Sequence, residues 1–182
     1  MDPRFEETVE DQEQMSKVLR TSQIIVVALL TGIMIFLGIA IFKVSENPPI
    51  LAGPPIVTYV CFGFLFLETI AWLIVPGVVG KELVRRIAQN QFPPTKSGEQ
   101  FSDLHSLALA HQTVTIIAAA LVEGGAFFTI IAFLIEGQNT ALIATGYTIL
   151  LLLLTFPTRV KLRSWIELNY QRLQQIRGDS EE

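Results

Sequence analysis

Four runs of apolar residues, Ile24 to Phe42, Ile56 to Val79, Val114 to Ile135 and Ala141 to Pro157, constrain this chain more than any other feature. Each approaches the ~20 residues that an α-helix needs to cross ~30 Å of hydrocarbon. Of the 182 residues 51% are hydrophobic and only 16% are charged, with a mean hydropathy of +0.48, which disfavours a soluble globule. Lipid is the better solvent, and a helix satisfies its own backbone there. The predicted architecture is therefore all-α, a polytopic membrane four-helix bundle.

Basic residues set its orientation. Arg4, Lys17 and Arg20 precede the first run, Lys81, Arg85, Arg86 and Lys96 lie between the second and third, and Arg159, Lys161, Arg163, Arg172 and Arg177 follow the last. Lys43 alone falls on the other side, so the positive-inside rule predicts cytoplasmic termini and a cytoplasmic middle loop. The resulting plan has an acidic tail (1–22), a first hairpin (23–79), a loop with a short surface helix around Phe101, Leu104 and Leu107 (80–112), a second hairpin (113–158) and a basic amphipathic end (159–182). Largely acidic residues precede the first run and no small-x-small cleavage pattern follows it, so it is expected to be retained rather than removed as a signal. The pairs Pro48-Pro49, Pro54-Pro55 and Pro93-Pro94 mark non-helical connections.

The two hairpins resemble each other. Shifting the chain by 92 residues aligns the segment from Thr21 with that from Thr113, with nine identities in twenty-two positions. Ala28 matches Ala120, Gly32 matches Gly124, Phe36 matches Phe128 and Ala40 matches Ala132. Small residues four apart let helix backbones approach in lipid, so this stripe predicts that spans one and three meet through Ala28, Gly32, Ala120 and Gly124. The same residues could instead face a second copy. Spans two and four are both expected to end at proline, Pro76 and Pro157. Two parallel-repeat hairpins about an axis along the membrane normal follow from this pattern.

Glu68 and Glu123 are the carboxylates within the spans. Glu68 lies eleven residues from Val79 and Glu123 nine from Val114, ~16 and ~14 Å at 1.5 Å per residue, nearly one depth. If they face each other, repulsion and desolvation favour keeping at least one proton between them. A proton or cation relay is one reading, with Thr31, which occupies the Glu123 position of the first repeat, and Thr69 or Trp72 as partners. A protonated carboxyl that fixes bundle register is the other. Ile149 stands where Glu68 would recur, so a transport mechanism would be asymmetric.

The remaining residues exclude more than they assign. A net charge of −4 lacks the basic surface that nucleic acid requires. Cys61, the single cysteine, reads as a small buried residue, and His105 and His111 read as solvated loop side chains. Leu162, Trp165, Ile166, Asn169, Leu173 and Ile176 share a rough helical face. Trp165 with Arg159, Lys161 and Arg163 suits an interfacial anchor, with a partner helix as the sharper alternative. No catalytic, metal or cofactor motif occurs, so neither enzyme activity nor a cofactor is expected.

The segments "LRTSQIIVVALLTGIMIFLGIAIF" and "HQTVTIIAAALVEGGAFFTIIAFLIEG", with "LLLLLTFPTRVKLRSW", resemble an uncharacterised family of small bacterial four-span membrane proteins. The resemblance implies the bacterial inner membrane and no particular activity. The segment "IIAAALVEGGAFFTIIAFLI" alone is similar to the carboxylate-bearing helix of the rotary ATP synthase c subunit, with Glu123 at the proton-carrying position, but the glycine repeat of that ring's partner helix is missing. The expectation is a non-enzymatic accessory or interaction protein of the inner membrane, whose partners are the bilayer and a second copy or a membrane complex. A carrier using Glu68 and Glu123 is the alternative.

Overall fold

The described residues fold into five helices: α1 (Val9–Glu46), α2 (Ile56–Ala88), α3 (Asp103–Glu136), α4 (Asn139–Thr155) and α5 (Arg159–Gly178). The computed structural model describes residues 9–49, 53–92 and 102–178, and no strand occurs among them. Arg4, Lys96, Phe101 and the Pro93-Pro94 pair lie outside the described residues. Helices α1, α2 and α3 are each long and apolar enough to cross a membrane, while α4 joins them only when counted with α5.

Three helices outrun their apolar segments. With 38, 33 and 34 residues they measure ~57, ~50 and ~51 Å, against ~30 Å of hydrocarbon. The expected boundaries at 22/23, 79/80 and 112/113 therefore fall inside continuous helix. No proline interrupts "SKVLRTSQ" or "LALAHQT", and both are rich in residues that favour helix. Pro76 does not end its helix either; it lies within α2. The ring removes one backbone donor, yet the helix continues through it despite the weak helix formers Val75, Gly77 and Val78 beside it. What stops α2 is a left-handed residue, Asn90 (φ 55°), with Asn90 N–H on the Ile87 carbonyl and Gln91 N–H on that of Arg86. Helix α3 stops at Gly137 (φ 62°), where a Cβ would press on Pro49. Helix α4 does end before Pro157, as expected.

The helices distribute between two units. One comprises residues 25–76 and 116–156. Helix α3 is its centre: half of its apolar stretch is buried, against 17% for α1 and 11% for α2. Val26, Ile33 and Ala40 of α1 pack in one core with Val122, Ala126 and Ile130 of α3. Phe36 meets Phe127 at 5.4 Å between ring centroids, and Phe64 meets Phe128 at 5.1 Å. Helix α4 is fastened by side-chain hydrogen bonds, Thr145 to Thr129 at 2.8 Å and Trp72 Nε1 to Thr155 at 2.9 Å. The outward faces are apolar, with Phe66, Leu73 and Ile143 each about two-thirds exposed or more.

This core corrects the expected stripe. Ala28, Ala120 and Gly124 are exposed, and a Cβ added at Gly32 or Gly124 would meet nothing within 4 Å. Each four-residue step turns a helix position by ~40°, so the stripe winds round the helix, and only Ala40 and its match Ala132 reach the core. The buried positions of α1 recur every seven residues instead. Their 92-residue counterparts in α3, Ala118, Gly125 and Ala132, are also buried.

The second unit comprises residues 1–24, 77–115 and 157–182. Val18 and Leu19 of α1, Val84 and Ile87 of α2, Leu107 and Ala108 of α3 and Ile166 and Leu173 of α5 form its core. Arg177 makes a two-pronged ion pair with Asp103 at 2.6 and 3.0 Å, and Ser102 donates to Asp11 at 2.7 Å. The described parts of the regions read as tail, loop and terminal helix thus form a folded helical body. The amphipathic face of α5 exists as predicted, but protein rather than lipid covers it, with Leu162, Ile166, Asn169 and Leu173 all buried.

Candidate functional site

Helix α2 presents a line of buried residues spaced three, four and three apart, Thr58, Cys61, Leu65 and Glu68, which is the spacing that keeps side chains on one helical face. Glu68 is 6% exposed, and among the described residues neither carboxyl oxygen has a hydrogen-bond partner. The carboxyl group lies against the backbone of Gly125, where even an alanine methyl would overlap it. Gly125 is therefore the recess that admits an acid into an otherwise apolar contact between α2 and α3.

Glu123 does not share this recess. It stands two residues from Gly125, ~200° round α3, and is only partly buried. The two acids thus occupy different sides of α3, contrary to a facing pair. Thr31 is exposed and donates to the Val27 carbonyl of its own helix at 2.8 Å. The other expected partners are also engaged elsewhere. Thr69 bonds the Leu65 carbonyl and Tyr147, and Trp72 donates to Thr155.

A third acid was not singled out from the sequence, where it reads as a loop residue. Glu136, the last residue of α3, is 5% exposed and accepts from Val57 N–H at 2.7 Å, Thr58 N–H at 2.8 Å and the Thr58 hydroxyl at 2.6 Å. These are first-turn amides of α2, which lack partners within the helix and favour negative charge. Helix α2 opens "GPPIVTY" with no acidic residue in its first turn, so its cap comes from another helix. The only available hint was a carboxylate ending one apolar segment beside a Pro-Pro-initiated helix.

In the second unit Arg159, Lys161 and Arg163 are exposed. Trp165 is half-buried, its ring edge-on to His111 at 5.4 Å and in contact range of Gly80. Its indole is thus part of interhelical packing. The histidines are not solvated loop residues, for both lie on α3 and are partly buried. Burial drives His111 down to about 4, with Lys161 adding to the effect, and burial lowers His105 as well. Among the described residues no group of three His, Cys, Asp or Glu side chains could hold a metal ion. No family model, curated protein or solved structure matches the chain.

Proposed function

We propose that this chain is an integral protein of the bacterial inner membrane that works through helix contacts rather than catalysis, as an accessory subunit or with a second copy of itself. One observation carries the reading: the small residues of both repeats, Ala28, Gly32, Ala120 and Gly124, lie on faces with open space around the two glycines. In lipid, small residues are where helix backbones approach most closely. The orientation is supported by charge. Of the eleven Lys and Arg among the described residues, all but Lys43 fall in the second unit, and in this reading it is the cytoplasmic one. Because nothing occupies the space at Gly32 and Gly124, leucine at both positions is expected to leave the melting of the detergent-solubilised chain unchanged while abolishing self-association or partner co-purification. Association that survives the double substitution overturns the proposal.

Glu68 favours a second reading, a proton- or cation-binding membrane protein. Its two partnerless oxygens can be satisfied by a proton or a cation, and an acid kept within a span is costly unless it is used or neutralised. Vesicles containing the chain and a pH-sensitive dye test this. Flux lost on Glu68→Gln and kept on Glu123→Gln supports it, and absence of flux in the native chain overturns it.

A further inference from the structure

Between the N-terminal part of α1 and the start of α5 the second unit carries a groove of about 350 Å³. Leu19, Leu162 and Ile166, themselves buried, floor it; Met15, Gln12 and Ser16 form the α1 wall, and the guanidinium-bearing Arg159 and Arg163 flank it from α5. Arg163 pairs with Glu167 at 3.2 Å on the surface, whereas Arg159 has no ion-pair partner among the described residues. Both arginines are exposed.

We infer that this groove binds an anionic phospholipid, the headgroup phosphate held by Arg159 and Arg163 and the first methylenes laid on the apolar lining. Charge selects the anion, because a guanidinium offers paired N–H donors that match phosphate oxygens. Met15, the apolar wall residue left partly open, favours a lipid over a free phosphate, since only hydrocarbon gains from covering it. Position in the chain agrees. Leu19 lies five residues before the apolar run that begins at Ile24, and Arg159 follows the α4 run by two residues beyond Pro157, so both groove walls sit where chain meets headgroups. The volume suits a headgroup and its proximal chain atoms and is near the lower end of small-ligand sites. The inference rests on membrane residence and is independent of what the helices contact.

The test uses the full-length chain in mild detergent, titrated with phosphatidylglycerol, phosphatidylcholine or inorganic phosphate and read by native mass spectrometry. Phosphatidylglycerol is expected to be retained in preference to phosphatidylcholine. Arg159→Gln with Arg163→Gln should weaken its apparent affinity about tenfold, as loss of charge-assisted contacts predicts. Ser16→Phe, at an exposed position lining the groove, should do the same by filling it with both arginines intact. Lys81→Gln, an exposed cation of the same unit outside the groove, should change nothing. Undiminished retention in the groove variants, an equal loss in Lys81→Gln, or displacement of the lipid by millimolar phosphate overturns the inference. A chain that enters phosphatidylcholine vesicles yet shows no lipid preference overturns the groove alone, whereas one that stays soluble without detergent overturns membrane residence too.

Discussion

Gly125 and Glu68 form a matched pair, a missing side chain facing a surplus one. The pairing predicts a coupling that neither residue would have alone. Gly125→Ala puts a methyl where the Glu68 carboxyl lies, and displacing that group from a packed contact is expected to destabilise the fold by about 1–3 kcal/mol. Glu68→Ala removes the obstacle, so the double variant should recover most of the loss. Thermal melts of the four proteins in one detergent measure the coupling, and additive effects would contradict the contact. The acid was legible because a charge among apolar residues stands out in any reading. Its partner was not: Gly124 and Gly125 are adjacent and chemically identical, and only the three-dimensional phase of α3 decides which one faces α2. Glu136 was missed for a similar reason, because its value lies in the α2 amides it reaches across 78 and 79 residues of chain.

At the level of helices, composition identified the apolar segments and overlooked how far the helices continue. Hydropathy falls where lipid would end, but helix propensity does not, so α1, α2 and α3 persist through polar residues that still place Val18, Val84 and Leu107 inward. Prolines were a partial guide. Pro157 follows the end of α4, whereas Pro76 marks the division between units without breaking α2. Joints between helices were invisible because threonine is common and hydroxyl pairing depends on rotation. The α3–α4 joint can be weighed directly. Thr129 and Thr145 are fully buried and share a 2.8 Å hydrogen bond, while each also donates to, or lies against, a carbonyl of its own helix. Thr129→Val should therefore lower stability only modestly, by about 0.6–2 kcal/mol, the range for interhelical bonds in membranes. A double-mutant cycle with Thr145→Val reads the pairwise part, and a loss well above this range would mean that the hydroxyls hold more than each other.

For the molecule as a whole, the bulk reading of an all-helical chain with several membrane-length helices agrees with the structure, and a second folded helical body is the principal addition. That body carries a titratable weak point. The neutral form of His111 is favoured in the folded state, with its value near 4 against an ordinary 6.5. Between those values the unfolded chain binds the extra proton, so stability is full above about pH 6.5, declines as pH falls, and loses this contribution entirely below about pH 4. Cleavage or amide exchange of the unit containing His111, followed from pH 7 to 4, should reveal that slope, and His111→Phe should flatten it. An unchanged slope would place the acid sensitivity elsewhere.

The seven-residue recurrence of Val26, Ile33 and Ala40 also bears on how α1 should wind. A straight helix has 3.6 residues per turn, so a line of residues seven apart slips by ~20° at each repeat. Keeping all three against α3 therefore favours a left-handed wrap of α1, the sense in which helices with a seven-residue repeat generally cross at about 20°.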